Sequence, residues 1–372
     1  MKKPGTKVAG PPPPDVLRAL LAAAKASAWT EGAPPFPGDR SAWGETFLET
    51  ARAQHALSII GPAVRSAPRC SPGLREELER IDRGCWATHM VTRAALGPVL
   101  AEAAADGIPV VVYKGAALAV RLYDAPWTRA MTDVDALIGE ADAPRFHALL
   151  ARHAFTPIAT ASGRSWSVRA SHERTFIPPT AGARIIDVHT APAQPARYHF
   201  SVADMLGRAQ PGTLFDAPVR FLTAADELLV MAANQAHDHY RFGLLRYLDA
   251  WLLTTRGAVD WEALIASAHA AGVATAAWLT LTNARRIAGA AVPQSVLARL
   301  RPSAPRAAWL RATLDCEGSG EPRLALPRRL EQLFLLYPTL DRPSDFLRFA
   351  AVHGTLRALD AAAAALRRLG RR

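Results

Sequence analysis

Two short apolar segments constrain the fold of this chain more than any other feature of its sequence. Residues 110–113 read VVVY and residues 133–138 read DVDALI, and both segments are short and rich in aliphatic or β-branched side chains. Between them, AALAVRLYD returns to the spacing of an amphipathic helix. Short apolar runs of this kind indicate buried strands, whereas a period of 3.6 indicates a helix. The order therefore predicts a strand–helix–strand unit.

Helical spacing dominates the sequence on both sides of this unit. SAWGETFLETARAQHALSII predicts one helix with Ser41 as its N-cap, and the long segment that follows predicts another that ends at Gly107. From about residue 224 the pattern is again nearly all helical, beginning with a capping box of Thr223 and Asp226. The C-terminal DFLRFAAVHGTLRALDAAAAALRRLGRR predicts a basic amphipathic helix packed on its domain, rather than a membrane-binding helix.

One further segment completes the predicted core. HERTFIPPTAGARIIDVHTA alternates apolar and polar residues on both sides of PTAGA, which predicts two strands joined by a turn. We therefore expect an α+β protein: a small mixed β-sheet core with a helical N-terminal lead-in and a largely α-helical C-terminal region. The predicted domains are a flexible proline-rich arm with one short helix at 1–40, the core with its lead-in at 41–220, and a helical domain at 221–372.

Charge and composition limit the class of protein. The chain has 372 residues and a net charge of +11, but the charge is spread as single arginines, which favours a solvated basic surface over a nucleic-acid interface. Three widely spaced cysteines fit neither a zinc pattern nor a disulfide framework and suggest a reducing compartment. No apolar run approaches the ~18 residues of a membrane span. We therefore expect a cytoplasmic protein with no membrane partner, and the oligomeric state stays open.

The segment DVDALI carries the first sign of chemistry. At a strand's period of two, Asp133, Asp135 and Leu137 share one face, and the apolar residues between them share the other. Two like charges on one face repel each other unless a cation neutralises them. Paired carboxylates are typical ligands of Mg²⁺, so we expect metal binding. Solvated carboxylates on an edge strand are the alternative, which the apolar flanks make less favourable.

The neighbouring segments suit phosphate chemistry. A helix that begins at Lys114-Gly115-Ala116 offers backbone N–H groups and a positive dipole end to a phosphate. Two Mg²⁺ ions can stabilise an in-line phosphoryl displacement, but that arrangement usually needs a third carboxylate. RIIDVHT supplies Asp187, which shares a strand face with His189 and could hold the second metal or act as the base on an acceptor hydroxyl.

These residues carry a family resemblance. GIPVVVYKGAALAVRLYDAPWTRAMTDVDALI resembles the uncharacterised (type 5) nucleotidyltransferase family, which belongs to the polymerase-β-like nucleotidyltransferase superfamily. The family's Lys-Gly turn, Tyr, Arg and Asp-Ile-Asp strand correspond to Lys114-Gly115, Tyr123, Arg129 and the strand that starts at Asp133. The likeness continues through RIIDVHTA and covers roughly residues 74–290.

The resemblance implies a polymerase-β-like core that uses Mg²⁺, with two ions expected, to move a nucleoside monophosphate from an NTP donor such as ATP. It does not identify the acceptor, for which a peptide natural product, a small molecule and, less readily, tRNA stay open. The chain departs from the wider superfamily where Ala116 replaces the usual serine after the glycine. Lys114 and Arg129 could bind phosphate in its place, or could balance the acidic cluster.

Several further polar residues are candidates for the acceptor side. His189 is the first, although a histidine at a strand end is more often structural. HDHYRFGLLRYLDAWLL adds His239, Arg246 and Asp249, but the two histidines of HDH diverge on a helix and do not predict a metal site.

Two other classes of protein compete with a nucleotidyltransferase. A glycosyltransferase also uses Asp-x-Asp to hold a metal and a nucleotide diphosphate, but it would normally place more α/β units before that motif. A catalytically degenerate protein that binds a nucleotide or a peptide would explain Ala116. Retention of three carboxylates opposes that reading, because a protein that only binds does not need a two-metal site.

Overall fold

The computed structural model describes residues 14–31, 45–54, 56–68, 70–158, 172–238, 240, 244–314, 337–352 and 355. The strands within these ranges are β1 Val111–Tyr113, β2 Asp133–Leu137, β3 Thr156–Pro157, β4 Glu173–Ile177, β5 Ile185–His189, β6 Gln210–Leu214 and β7 Ala217–Phe221. The helices are α1 Pro14–Ala28, α2 Glu45–Ala53, α3 Leu57–Ser66, α4 Pro72–Ala105, α5 Lys114–Leu122, α6 Ala143–Arg152, α7 Val202–Arg208, α8 Ala224–His237, α9 Leu244–Arg256, α10 Trp261–Ala271, α11 Ala274–Ala288, α12 Gln294–Leu300, α13 Ala304–Leu314 and α14 343–352.

The seven described strands form one mixed sheet, in the order β3-β4-β5-β2-β1-β7-β6. The central strand β2 is antiparallel to β1 and parallel to β5. This pairing places Asp135 directly opposite Asp187. The predicted strand–helix–strand unit and the predicted hairpin of β4 and β5 are both confirmed.

The two faces of β2 and β5 have different environments. One face carries Val134, Ala136, Ile186 and Val188, which pack in a buried cluster with residues of α4 and α6. The opposite face carries the aspartates, and beyond them Leu137 packs against α7 and α8. The sheet therefore keeps its charged residues on one face because the other is fully occupied by apolar packing.

The lead-in helices differ from the sequence-based expectation in two ways. The helix α1 is not part of a flexible arm, because Leu20, Ala23 and Ala24 are fully buried in the main hydrophobic cluster. The single helix expected after Ser41 is instead two helices, α2 and α3. The amide of Ala56 bonds to the carbonyl of Ala51, five residues back, and this wider turn ends α2 before α3 begins. Ser41 itself lies outside the described residues.

The C-terminal helices share a core with the rest of the protein. One buried cluster contains Leu20 of α1, Leu118 of α5 and Leu252 of α9, so the predicted boundary near residue 221 is not a break in the packing. The described part of the C-terminal segment is helical over 343–352, and most of the predicted basic helix lies outside the described residues.

Two helix ends in this region are capped, and the predicted start at Thr223 is confirmed. The Thr223 hydroxyl accepts the amide of Asp226 at the start of α8. Gly272 ends α10 in the left-handed conformation, with φ of 69°, which glycine adopts without strain. Within the described ranges, every helix is too short or too polar to cross a membrane.

Candidate active site

Three aspartates meet on one face of the sheet. Asp133 and Asp135 point to the same side of β2, and Asp187 lies beside Asp135 on the parallel strand β5. Asp135 and Asp187 are 6 % and 8 % exposed, and Asp133 is half-buried. The register thus brings together all three carboxylates expected from the sequence, and it does so in a largely buried environment.

Asp135 is neutralised by two neighbours. Its Oδ1 atom accepts a hydrogen bond from the Lys114 ammonium at 2.7 Å and lies 2.9 Å from Nε2 of His189. Burial opposes the charged form of Asp135, but His189 and Lys114 outweigh burial and lower its pKa below the usual value. Asp135 is therefore held as a carboxylate that already has a cation beside it.

The other two aspartates are less well compensated. Burial, together with the charges of Asp135 and Asp187, raises the pKa of Asp133. Asp187 has a buried Oδ1 atom with no hydrogen-bond partner. A buried carboxylate oxygen without a partner is costly, so each such atom calls for an explanation. A cation bound at this face would satisfy Asp187 and relieve the repulsion on Asp133.

The start of α5 contains the residues that the sequence analysis expects to bind phosphate, but the backbone amide of Lys114 already has a hydrogen-bond partner. Lys114 adopts φ of +54° at the turn from β1 into α5. Its amide donates to the carboxylate of Glu227, with distances of 3.1 and 3.2 Å to the two oxygens. Glu227 is 1 % exposed, and burial raises its pKa to about 8. The first backbone N–H group of α5 is thus occupied. Gly115 and Ala116 are the next two residues of this helix.

Arg129 lies behind this turn rather than on the aspartate face. Its Nη1 atom would be 2.9 Å from a Cβ at residue 115, so the close approach explains the glycine of the Lys-Gly turn. Its Nε and Nη2 atoms bind the two carboxylate oxygens of Asp249 at 2.9 and 2.7 Å. Tyr123 donates its hydroxyl to the same carboxylate at 2.6 Å. Arg129 therefore supports the Lys-Gly turn from inside the protein.

The candidates for the acceptor side lie in different places. His189 lies on the aspartate face, where its Nε2 atom is 2.9 Å from Asp135. Asp249 is 1 % exposed and holds Arg129, so its position is that of an interior structural residue. Arg246 pairs with Asp238 at the end of α8. His239 lies outside the described residues.

Four residues near the aspartates were not anticipated from the sequence. Tyr113 is fully buried on the same sheet face, its ring meeting His189 edge-on and lying 4.8 Å from the Lys114 ammonium. Glu227 reaches Lys114 from α8, and His172 and Glu173 flank His189 at the start of β4. Burial, together with the nearby Lys114 and His189, lowers the pKa of His172 to about 4. Tyr113 and Glu173 could have been found in the sequence, since they pair with Asp135 and His189 across adjacent predicted strands.

These residues fit a divalent cation. Asp133, Asp135 and Asp187 supply oxygen ligands of the kind that Mg²⁺ prefers, and one buried oxygen of Asp187 has no protein partner. The three aspartates already lie on one face of adjacent strands, because the strand register places their side chains together.

Comparison with known proteins identifies the family. A family model described as uncharacterised nucleotidyltransferase matches residues 41–289, which is more than half of the chain and includes all of the described site residues. This match confirms the resemblance and starts earlier than the expected residue 74. Neither curated proteins nor solved structures give a significant match. By its motifs, its mixed α+β core and this match, the chain belongs to the uncharacterised nucleotidyltransferase family.

Proposed function

We propose that this protein transfers a nucleoside monophosphate from an NTP to a hydroxyl group of an acceptor, with Mg²⁺ held by Asp133, Asp135 and Asp187. The observation that carries the proposal is the buried cluster of three carboxylates in which Asp187 keeps an oxygen without a partner. A pair of Mg²⁺ ions at such a cluster supplies charge stabilisation for an in-line displacement at phosphorus. Family membership supports nucleotidyl transfer in general.

The phosphate end of the reaction is assigned to Lys114 and to the turn that begins α5. The Lys114 ammonium is within hydrogen-bond distance of Asp135 and is about one quarter exposed, so it can contact triphosphate oxygens beside the aspartates. Arg129 acts indirectly, because its guanidinium packs against Gly115 while it binds Asp249. We assign Arg129 a positioning role for the turn.

The acceptor end is assigned to Asp187. In the reaction, the acceptor oxygen bonds to the α-phosphorus, the bond to the leaving pyrophosphate breaks, and the hydroxyl proton passes to a base. Asp187 is the aspartate with an unused buried oxygen, and it is not engaged by Lys114 or His189 as Asp135 is. It is therefore suited to accept that proton or to complete the acceptor-side metal site.

A protein that binds a nucleotide without chemistry is the second candidate. Two observations favour it: Ala116 stands where the wider superfamily has serine, and the Lys114 amide is bonded to Glu227 rather than left open. Both features weaken phosphate binding at the turn, but neither removes a carboxylate.

The decisive experiment compares wild type with Asp187→Asn. Each of the four NTPs is incubated with Mg²⁺ and candidate acceptors, pyrophosphate release is measured, and Mg·NTP affinity is measured by titration. For a transferase, Asp187→Asn keeps Mg·NTP affinity nearly unchanged while kcat falls by about 10² or more. A parallel loss of affinity and turnover would assign Asp187 to the donor side. Binding of NTP with no pyrophosphate from wild type, across peptide, small-molecule and tRNA acceptors, would favour the non-catalytic candidate.

A further inference from the structure

A second cluster of metal-binding side chains lies at the edge of the aspartate site. His172, Glu173 and His189 each present a ligand atom, and these atoms lie within 4.8 Å of one another. The cluster contains two imidazoles and one carboxylate, whereas the aspartate face offers carboxylate oxygens alone. The two groups of ligands therefore suit different metal ions.

The backbone holds these three residues near one another. Glu173 pairs with His189 across the antiparallel strands β4 and β5, which puts the two side chains on the same face. The carbonyl of His172, the residue just before β4, accepts the amide of Thr190 at 2.8 Å, so its backbone is also fixed relative to β5. The positions of Glu173 and His189 thus follow from strand pairing, and the backbone of His172 is tied to the same pair of strands.

The strongest indication of a ligand is the second nitrogen of His189. The ring is 2 % exposed, and its Nε2 atom faces the Asp135 carboxylate, which can only accept a hydrogen bond. In the neutral ring this places the hydrogen on Nε2 and leaves a lone pair on Nδ1. That Nδ1 atom is buried, has no hydrogen-bond partner, and lies 3.8 Å from an oxygen of Glu173. A cation bound to both the Nδ1 atom of His189 and the oxygen of Glu173 would satisfy the lone pair on that nitrogen.

We propose that His172, Glu173 and His189 bind a transition-metal ion, for which Zn²⁺ is the best match, separately from Mg²⁺ at the three aspartates. Two histidines and one glutamate form a recognised set of zinc ligands, and three protein ligands leave one coordination position open. Coordination uses the neutral imidazole form of each histidine.

The proposed site connects to the candidate active site through a single ring. A metal on Nδ1 of His189 fixes the hydrogen on Nε2 and orients it toward Asp135. Carboxylate–histidine–metal arrangements of this kind hold the ring and strengthen its ligation. The metal therefore holds the orientation of the Asp135 carboxylate, which makes His189 the link between the two sites.

The test measures metal binding directly and does not depend on turnover. Metal-free protein is equilibrated with excess Mg²⁺ to fill the aspartates, and Zn²⁺ is then titrated in competition with a chromogenic chelator. Wild type is expected to bind one Zn²⁺ per chain. Loss of a partner outside the ligand shell typically costs 10- to 100-fold in metal affinity, so loss of a ligand in His172→Ala or Glu173→Gln should cost at least about tenfold.

Matched variants separate this site from other sources of binding. His269→Ala and Glu140→Gln change an exposed histidine and an exposed glutamate elsewhere, and both are expected to bind Zn²⁺ as wild type does. Asp133→Asn changes an aspartate of the Mg²⁺ site and is also expected to keep Zn²⁺ affinity. Circular dichroism of each variant verifies that it is folded.

Three results would overturn the proposal. The first is the absence of Zn²⁺ binding by wild type, which would leave His189 as a structural ring between Asp135 and Glu173. The second is unchanged binding in both His172→Ala and Glu173→Gln, which would place the ion elsewhere. The third is a loss in Asp133→Asn as large as in the cluster variants, which would place Zn²⁺ on the aspartates. None of these results bears on nucleotidyl transfer, which is measured separately as pyrophosphate release.

Discussion

Two buried clusters of charged residues lie on either side of the turn that begins α5, and they differ in whether their charges are satisfied. Behind the turn, Asp249 receives two hydrogen bonds from Arg129 and one from Tyr123. On the sheet face, Asp133 is repelled by its neighbours and Asp187 keeps a buried oxygen without a partner.

The comparison shows that two buried clusters of charged residues can differ in role according to whether their hydrogen bonds are complete. A buried ion pair whose hydrogen bonds are complete needs no further ligand, and removal of one partner leaves an uncompensated charge. A buried carboxylate that lacks partners is stabilised by a bound cation or by a proton. By this reasoning the Arg129–Asp249 pair holds the fold together, and the three aspartates are the residues to which we assign a substrate-associated metal.

The largest expected effect is on turnover in Asp133→Asn. Loss of this ligand should reduce nucleotidyl transfer to an undetectable level, because the metal site then lacks one of its two β2 carboxylates. The melting temperature of the metal-free variant should equal or exceed that of wild type, since removal of a charge relieves the repulsion that raises the pKa of Asp133. Asp142→Asn, which changes an aspartate on the surface at the start of α6, is the matched control. Full activity in Asp133→Asn would contradict the metal assignment.

The next largest effect is on stability in Asp249→Ala. Removal of one partner from a buried ion pair typically costs about 3–5 kcal/mol, so the free energy of unfolding should fall by that amount. Asp238→Ala breaks the more exposed pair with Arg246 and should cost about 1 kcal/mol or less. Urea unfolding at equilibrium measures both. If Asp249→Ala were as stable as wild type and specifically lost acceptor binding, Asp249 would belong to the substrate site after all.

A third prediction concerns Glu227 and pH. The folded-state pKa of Glu227 is raised to about 8 by burial, so the folded protein retains a proton that the unfolded chain releases near pH 4.5. The contribution of this group to stability is therefore complete below that pH and is lost as pH rises toward 8. Glu227→Gln does not titrate, so its stability relative to wild type should rise by at most about 1.4 kcal/mol per pH unit between about pH 5 and 7.

Urea unfolding of wild type and Glu227→Gln at several pH values provides the measurement. The difference between the two proteins isolates Glu227 from His172 and His237, whose lowered pKa values act in the opposite direction. A difference that does not change with pH would show that Glu227 is ionised in the folded protein. It would then act as a charged partner of the Lys114 amide.

The smallest expected effect is on the kinetics of Lys114→Ala. If the ammonium binds ground-state phosphate, the KM for NTP should rise by about tenfold with little change in kcat. If it stabilises charge that develops in the transition state, kcat should fall instead. Lys114→Arg retains the positive charge and should recover part of the loss. Unchanged kinetics in Lys114→Ala would restrict this residue to its ion pair with Asp135.

The sequence predicted the core of the site because its signals are local. The strand period at Asp133 and Asp135, and the alternation around Asp187, directly indicated which side chains share a face, and the strand pairing bears this out. Glu227 could not be predicted in the same way, since it contacts Lys114 from 113 residues further along the chain. The packing of α1 was also missed, because a proline-rich composition carries no information about which helix faces are buried.

The sequence by itself determined the strand–helix–strand unit, the order of the motifs and the family, because hydrophobic periodicity and motif spacing are properties of short segments. Only the tertiary structure decided which charges are satisfied. It placed Arg129 against Gly115 and Asp249, inside the protein, and left Asp187 with an unpartnered oxygen. Hydrogen bonding and burial depend on residues that are distant in the chain, and those contacts form only when the sheet and the helices pack together.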